Sequence, residues 1–231
     1  MDLDGSESAA PAAASTIFGD RLELAGQYVD LLERHGVDRG LIGPREADRL
    51  WDRHVLNSAV IGEVIPEGAR VIDVGSGAGL PGVPLAISRP DLDIVLLEPM
   101  ARRVDWLTEV SETLSLSLTV LRGRAEEKQV REHVGLADVV TARAVAPLAR
   151  LAGWCLPLVR PKGSLAALKG ASAHDEIERD RVAITKAGGG DPSLTMCGSG
   201  VLDTSTTVVL IERTEKRKTG RSRRQAGARS R

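Results

Sequence analysis

A short apolar segment that runs directly into closely spaced glycines constrains the fold of this chain more than any other feature. Residues 70–74 read Arg-Val-Ile-Asp-Val, an apolar run typical of a buried parallel strand. Glycines follow at positions 75, 77 and 79, and a second apolar run begins after Pro81. Glycine lets a ligand approach the backbone closely, and the N–H groups at the amino end of a helix suit a carboxylate or a phosphate. The segment therefore predicts a strand, a tight turn and a helix that together hold a ligand.

Two classes of ligand fit this turn, and Asp73 discriminates between them. The spacing G-x-G-x-x-G of dinucleotide-binding turns is matched by Gly77, Gly79 and Gly82. The pattern of S-adenosylmethionine (SAM) methyltransferases, an acid followed by G-x-G-x-G, is matched by Asp73, Gly75, Gly77 and Gly79. A carboxylate at 73 would repel a pyrophosphate but can help to hold the ammonium group of a methionine moiety. SAM is therefore the favoured cofactor, with a dinucleotide or a purely structural turn as the alternatives.

The alternation of strand and helix patterns through residue 170 predicts an α/β, Rossmann-like fold with a doubly wound, mostly parallel sheet of seven strands. Two amphipathic helices, at 18–35 and 44–64, precede the sheet as an amino-terminal cap. The predicted strands are 71–74, 94–97, 117–121, 137–141 and 164–168, with two antiparallel strands near 193–197 and 206–212. The predicted organisation is a disordered terminus (1–17), the cap helices (18–66), the SAM-binding domain (67–213) and a basic disordered tail (214–231).

Polar and small residues follow several of these strands at their carboxyl ends, where ligands bind in such sheets. Glu98 ends the second strand, and its carboxylate can accept hydrogen bonds from both hydroxyls of a ribose. Ala125 and Glu126 follow the third strand, where an adenine would lie. Arg143 follows the fourth strand, where it can hold the SAM carboxylate or orient the methyl acceptor by forked hydrogen bonds. A salt bridge from Arg143 to Asp73 is the structural alternative.

Composition and charge exclude several classes of protein. A 231-residue chain with 42% hydrophobic and 27% charged residues is typical of one globular domain, and no apolar run approaches the roughly 20 residues of a membrane span. The amino terminus lacks the pattern of a secretory signal. The two distant cysteines, Cys155 and Cys197, argue against a disulfide scaffold or a zinc site. We therefore expect a cytoplasmic monomer without a metal and without a membrane partner.

The net charge of −1 hides a strong asymmetry. Residues 212–231 carry nine Lys or Arg and two Glu, a net charge of +7, so the rest of the chain carries −8. Such a tail is either a solubilising segment or a segment that binds a polyanion such as RNA. For RNA binding, the candidate residues are Lys216, Arg217, Lys218, Arg221, Arg223 and Arg224.

The nature of the methyl acceptor is constrained by motifs that the chain lacks. Adenine amino methylation often uses an Asn/Asp-Pro-Pro-aromatic motif after the fourth strand, and this motif is absent. Methylation of pyrimidine carbon 5 requires a nucleophilic cysteine, and neither Cys155 nor Cys197 has the surroundings of an activated thiol. Guanine N7 already presents an in-plane lone pair, so its methylation requires alignment rather than a general base. A guanine N7 is compatible with this pattern.

One family combines all these motifs. The run Asp-Val-Gly-Ser-Gly-Ala-Gly-Leu-Pro-Gly-Val-Pro-Leu-Ala, with Arg-His-Val-Leu-Asn-Ser upstream and Ala-Arg-Ala-Val-Ala and Ala-Leu-Lys-Gly downstream, resembles the ribosomal RNA small-subunit methyltransferase G (GidB) family over about residues 20–213. The resemblance implies SAM-dependent N7 methylation of a guanine in the 530-loop of 16S rRNA, with 16S rRNA or the 30S particle as partner. A departure from the family is the stretch 39–44 between the first two helices.

The resemblance also implies roles for individual residues. Contacts to SAM are implied for Gly75, Leu80, Ala125, Glu126 and Arg143. Roles in RNA binding or the active site are implied for Arg53, His54 and Lys169, although a histidine on such a helix is also compatible with a structural contact. The alternatives in function are an assembly factor with the same fold but no catalysis, and a nicotinamide-dependent oxidoreductase.

Overall fold

The computed structural model describes residues 10–214, except for the side chains of residues 47 and 48. Its centre is a sheet of seven strands in the order β3-β2-β1-β4-β5-β7-β6. The first five strands are parallel, and β7 pairs antiparallel with both β5 and β6. The strands are β1 (Arg70–Val74), β2 (Asp93–Glu98), β3 (Leu118–Arg122), β4 (Ala137–Arg143), β5 (Val159–Leu168), β6 (Ser193–Cys197) and β7 (Thr206–Glu212). The predicted fold class is confirmed.

Helices cover both faces of the sheet, which explains why the strands are apolar on both sides. One face is covered by the amino-terminal helices with α4 and α5, and the other by α7 and α8. The helices are α1 (Ala12–Phe18), α2 (Leu22–His35), α3 (Leu56–Ala59), α4 (Gly82–Ser88), α5 (Ala101–Thr113), α6 (Lys128–Val134), α7 (Leu148–Cys155) and α8 (Ala173–Lys186). No helix in the described part of the chain is long and apolar enough to cross a membrane.

The prediction of one regular helix at 44–64 is wrong. The segment is a 3₁₀ helix (Pro44–Arg49), a π-helical turn (Leu50–Val55), the short α3 and a second 3₁₀ helix (Val60–Val64). A π turn removes some carbonyl groups from the regular hydrogen-bond ladder, and such turns are frequent at functional sites. We refer to residues 44–64 as the cap segment.

The predicted boundaries need three further corrections. The disordered terminus was predicted to reach residue 17, but α1 begins at Ala12 because Ala14 and Phe18 are buried in the core. The fifth strand, predicted at 164–168, begins already at Val159; its pairing with β4 shifts register near its start, and a Cβ at Gly163 would lie 2.4 Å from the Asp138 carbonyl oxygen. Thr214, assigned to the tail, donates its backbone N–H to the Gly188 carbonyl at 3.0 Å.

Candidate functional site

A cavity of about 530 Å³ opens at the carboxyl ends of the parallel strands. It lies beside the point where β1 is flanked by β2 on one side and β4 on the other, which is the topological switch point where ligands bind in open α/β sheets. Its size is within the usual range for a small-molecule site. The polar and charged residues that line it are Glu46, His54, Ser76, Glu98, Arg103, Arg124, Glu126 and Arg143.

The glycine turn between β1 and α4 forms one wall of the cavity. Gly75 and Gly77 have positive φ values of 72° and 58°, a region that favours glycine. A Cβ at Gly77 would have no neighbour closer than 3.7 Å, because this position faces the cavity. Leu80 also lines the cavity. The structure therefore brings Gly75, Gly77 and Leu80 to the ligand space, as the sequence predicted.

The turn is fixed from behind by two buried aromatic side chains. The Ala78 carbonyl oxygen accepts hydrogen bonds from Tyr28 Oη at 3.0 Å and from Trp106 Nε1 at 2.8 Å. Tyr28 lies on α2 and Trp106 on α5, and both are fully buried. Helices from two parts of the chain thus determine the backbone position of the turn.

Glu98 lies at the end of β2 with its carboxylate in a fixed orientation. It is 1% exposed, and its oxygens accept backbone N–H groups from Gly77 at 3.0 Å and from Met100 at 3.0 Å. A carboxylate has about four lone-pair sites, so two acceptor positions remain after these two bonds. Glu98 also lines the cavity. The remaining acceptor sites suit a pair of neighbouring hydroxyls.

Two sequence-predicted cofactor residues do not reach the cavity. Asp73 is fully buried and accepts hydrogen bonds from Thr141 Oγ1 at 3.0 Å and from the Gly82 N–H at 3.2 Å. Burial raises the pKa of the Asp73 carboxyl to about 6. A Cβ at Gly79 would meet Val83 at 2.7 Å, so this glycine serves close packing. The predicted contact of Asp73 with an ammonium group is wrong, because its side chain ties the turn to β4 and α4.

Arg143, the last residue of β4, holds the cap segment against the sheet. Its Nη1 donates to the His54 carbonyl oxygen at 3.0 Å and to Ser58 Oγ at 2.9 Å. Its Nη2 donates to the Arg53 carbonyl oxygen at 2.7 Å and approaches His54 Nδ1 to 2.6 Å. Four of its five N–H donors are thus occupied by the cap segment. These donors are directed at the cap segment and not at Asp73, and the contact of Arg143 with a ligand stays a prediction.

His54 continues this network to Glu46. Because His54 Nδ1 faces a guanidinium, it must accept, so Nε2 carries the proton and donates to Glu46 Oε2 at 2.9 Å. Burial and the neighbouring Arg143 charge hold the pKa of His54 below its ordinary value. The hydrogen bond with His54 lowers the pKa of Glu46. Both ring nitrogens of His54 are engaged. We call Glu46, His54, Ser58 and Arg143 the clasp.

Lys169 does not line the cavity, and its role in the active site or in RNA binding stays a prediction. Its Nζ donates to the Ala146 carbonyl oxygen at 3.0 Å and to Glu176 Oε2 at 2.8 Å. The same Glu176 oxygen accepts the N–H of Leu148 at the start of α7. Lys169 therefore fixes the loop between β4 and α7. That loop contributes Ala144 and Val145 to the cavity wall.

The far end of the cavity follows β3. It is lined by residues 123–126, with Val145 and Trp154 on the neighbouring side. The Ala125 carbonyl oxygen accepts Arg131 Nε at 2.6 Å, which fixes this loop. Glu126 lies 3.9 Å from Arg124 in an exposed ion pair. Ala125 and Glu126 are therefore brought to the cavity together with Glu98, as predicted.

Comparison with known proteins agrees with this geometry. Residues 21–201 match the family model described as rRNA small subunit methyltransferase G. A Corynebacterium jeikeium protein named ribosomal RNA small subunit methyltransferase G is 56% identical over 203 residues, which cover 88% of this chain and 91% of the relative. This chain belongs to the rRNA small subunit methyltransferase G family. The Rhodococcus jostii protein of the same name is 55% identical over 207 residues, covering 90% of this chain and 91% of the relative.

A solved structure supports the fold. Aeropyrum pernix fibrillarin, determined with natively bound S-adenosyl-L-methionine, is similar with a TM-score of 0.51. It is 16% identical, and the match covers 69% of this chain and 74% of that chain. At this identity the likeness concerns the fold alone. The resemblance to the methyltransferase G family, inferred from the motifs, is confirmed by the family model and the relatives.

The predicted RNA contacts of this family member fall in different places. Arg53 points outward with half of its side chain exposed, and its Nη1 lies 3.4 Å from Glu46. His54 lines the cavity, but its side chain belongs to the clasp. Lys216, Arg217, Lys218, Arg221, Arg223 and Arg224 lie outside the described residues. Their proposed contact with RNA stays a prediction.

Both cysteines of this family member are buried. Cys155 is fully buried in α7, and burial raises the pKa of its thiol. Cys197 is also buried at the end of β6, where desolvation raises the pKa of its thiol to about 11. A thiol with a raised pKa carries little thiolate near neutral pH. The structure agrees with the exclusion of cysteine-dependent methylation of a pyrimidine.

Sequence reasoning missed several residues of the site. Glu46 precedes Arg53 and His54 by seven and eight positions, and this spacing on a helix would have predicted one shared face. Arg103 and Trp154 line the cavity but carry no motif. Whether they line the cavity depends on which face of α5 or α7 is turned toward it, and the sequence alone does not show this.

Proposed function

We propose that this protein transfers a methyl group from SAM to N7 of a guanine in the 530-loop of 16S rRNA. The observation that carries the proposal is the meeting of the glycine turn, Glu98 and the Ala125–Glu126 pair in one cavity at the switch point of the sheet. Membership of the methyltransferase G family supports the reaction class. The named atom and loop come from the resemblance and are part of the proposal.

The cavity fits the cofactor on grounds of its own structure. The Glu98 carboxylate, held by two backbone N–H groups, keeps two acceptor sites for the ribose hydroxyls. The adenine lies at the end formed by Ala125, Val145 and Trp154, whose apolar surfaces suit an aromatic base. The methionine part lies along the turn, where a side chain at Gly77 would fill the space. Asp73 and Lys169 contribute by fixing the turn and the 144–147 loop.

The cavity also fits a reaction that needs no general base. The guanine N7 lone pair forms the new N–C bond as the C–S bond of the sulfonium breaks, leaving a neutral thioether and a cationic base. No proton has to be removed before the methyl group moves. His54, the histidine of the cavity, has both ring nitrogens engaged and a lowered pKa. The chain's own contribution is alignment and desolvation of the two reactants.

The proposal is tested by mapping the product. Purified protein is incubated with methyl-labelled SAM and either 16S rRNA or 30S particles from cells that lack the gene, and 7-methylguanine is located by chemical cleavage. We expect one methylated guanine in the 530-loop and no transfer with Gly77→Val. Binding of 30S particles without transfer would favour an assembly factor. Methylation of another atom or another loop would contradict the proposed specificity.

A further inference from the structure

Arg103 is a cation of the cavity whose guanidinium has no partner among the described side chains. It lies in the first turn of α5, beside Glu98, and lines the cavity. Its Nε is buried and makes no hydrogen bond. Among the side chains that the structure describes, none forms an ion pair with its guanidinium, whereas nearly all buried polar atoms in proteins have a partner. A bound anion would supply the missing hydrogen-bond acceptors of such an arginine.

The acids of the same cavity do not serve as partners for Arg103. Glu46 is paired with His54 and Arg53. Glu98 is held by backbone N–H groups. Glu126 faces Arg124. None of the three acids that line the cavity therefore neutralises the positive charge of Arg103, whose Nη1 lies near the glycine turn.

The position of Arg103 identifies where the anion would lie. Its Nη1 is 4.0 Å from the point where a Cβ on Gly77 would stand, and that point is in the ligand space. The loop formed by Leu41, Ile42 and Gly43, which precedes the cap segment, lines the same cavity. Arg103 is thus placed at the glycine turn.

Comparison with Arg143 makes the assignment specific. Both arginines line the cavity, but four of the five donors of Arg143 are occupied by the cap segment. Arg103 keeps its fork of parallel N–H groups, which matches the two oxygens of a carboxylate or phosphate. The role that the sequence pattern assigned to Arg143 therefore passes to Arg103.

We propose that Arg103 is the receptor for an oxyanion in this cavity. The inference rests on the proposed function, which supplies two oxyanions of suitable geometry. One is the carboxylate of the methionine moiety of SAM, and the other is a backbone phosphate of the target nucleotide. Both present paired oxygens to a guanidinium, and they are distinguished by experiment.

The experiment replaces Arg103 by Met, which keeps much of the side-chain length and removes the charge. The matched control is Arg102→Met, which removes the same charge from the adjacent, exposed position of α5, outside the cavity lining. Calorimetry gives the dissociation constants of SAM and of decarboxylated SAM for the full-length protein. Steady-state kinetics at saturating SAM give the KM for 16S rRNA or 30S particles.

Each source of the anion predicts its own result. If Arg103 holds the SAM carboxylate, Arg103→Met weakens SAM by on the order of 10- to 100-fold and leaves decarboxylated SAM unchanged. If it holds a phosphate, SAM binding stays normal and the KM for RNA rises by a similar factor. The slope of log affinity against log salt then flattens by about 0.7–0.9, as for a single phosphate contact.

The proposal is overturned if Arg103→Met changes neither SAM binding nor the KM for RNA more than Arg102→Met does. If the Met variant melts early, Arg103→Gln, which keeps N–H donors without the charge, is judged by the same comparison. Failure of the proposed function has another signature, because wild-type protein would then bind no SAM or transfer no methyl group. The two failures are therefore distinguishable.

Discussion

Two walls of the cavity differ in how many of their polar groups are already hydrogen-bonded. We call the wall with Gly77 and Glu98 the turn wall and the wall with His54 and Arg143 the clasp wall. On the turn wall, Gly77 presents bare backbone and Glu98 keeps two of its acceptor sites open. On the clasp wall, His54 has both nitrogens engaged and Arg143 has four donors engaged. Open hydrogen-bonding capacity is what a ligand needs, and filled capacity is what holds two elements together. The turn wall is therefore suited to binding, and the clasp wall to the architecture that shapes it.

The contrast extends to what stabilises each wall. The turn is fixed through its backbone, by Tyr28 and Trp106 at the Ala78 carbonyl and by Asp73 at Gly82. The clasp is fixed through the side chains of Arg143 and His54. Arg143 is buried deeply enough there that desolvation lowers its pKa. A change at Gly77 or Glu98, which face the ligand space of the turn wall, should change binding, whereas removing a side chain from the clasp should change stability. The following changes test this difference, from the largest expected effect to the smallest.

Gly77→Val should abolish SAM binding, because the new side chain would fill the ligand space of the turn wall. It also adds backbone strain of about 1–3 kcal/mol, since φ is 58°. The matched control is Gly68→Val, at an exposed glycine with φ of 65° and no atom within 4 Å of the new Cβ. Calorimetric titration with SAM, together with thermal unfolding, compares the two. Normal SAM affinity in a folded Gly77→Val variant would refute the placement of the cofactor.

Arg143→Ala should lower the free energy of unfolding by about 2–4 kcal/mol, because it leaves buried acceptors of the cap segment unpaired. The dissociation constant of SAM should change little at a temperature where the variant is folded. Arg122→Ala is the control, since Arg122 also ends its strand but is exposed. Urea unfolding and SAM titration are measured on both. A stable Arg143→Ala protein that no longer binds SAM would reverse the roles of the two walls.

Glu98→Ala should weaken SAM binding by about 1–3 kcal/mol, the cost of leaving hydroxyl groups without a charged acceptor. The maximal rate should return at saturating SAM, because Glu98 contacts the cofactor rather than the reacting atoms. Asp93→Ala, at the opposite end of β2, is a control for a lost carboxylate on the same strand. The dependence of the initial rate on SAM concentration decides. A rate that stays low at saturation would give Glu98 a role in the chemical step.

The smallest effect is a pH dependence of stability from His54. The unfolded chain binds a proton at the ordinary pKa of 6.5, whereas folded His54 does so only at lower pH. Its contribution to stability is therefore complete above about pH 6.5 and is lost as the pH falls toward the folded pKa, with a slope of at most about 1.4 kcal/mol per pH unit. Urea unfolding of wild type and His54→Gln between pH 5 and 7.5, a range chosen around that ordinary pKa, measures the difference.

The pH dependence of stability that Asp73 contributes has the opposite sign to that of His54. The wild-type profile must therefore be compared with that of His54→Gln. Its carboxyl has a raised pKa of about 6 in the folded protein, so its ionisation costs stability as the pH rises toward that value. Because His54→Gln retains Asp73, subtraction of the two pH profiles isolates the histidine. Identical profiles for wild type and His54→Gln would show that the clasp does not depend on the neutral imidazole.

The turn wall could be predicted from the sequence, because its function depends on backbone geometry that glycine spacing reveals. Glu98 could be predicted for a similar reason, since the carboxyl ends of parallel strands meet at one edge. The direction of the Asp73 side chain could not be predicted from the sequence. Both faces of the sheet are covered, so an acid at that position can point either toward the ligand or into the packed interior. It forms hydrogen bonds with Thr141 and Gly82 instead of the ligand.

Most contacts of the clasp wall could not be predicted from the sequence. Arg143 was correctly placed at the end of β4, but the cap segment that occupies its donors is joined through residues about 90 positions away. Lys169 ends β5, which lies one strand further from the switch point, and strand order decides that its side chain meets Glu176. In the sequence Arg103 cannot be told from any other arginine, and its place in the cavity appears only when α5 is packed beside the turn.

The most direct test is a crystal structure of the protein with the reaction product S-adenosylhomocysteine. The account predicts ribose hydroxyls within hydrogen-bonding distance of the Glu98 carboxylate and an adenine beside Ala125. It also predicts that Arg143 keeps its bonds to His54 and Ser58. A bound cofactor whose carboxylate is held by an Arg143 released from the cap segment, with Glu98 still bonded only to backbone, would contradict the division between the two walls.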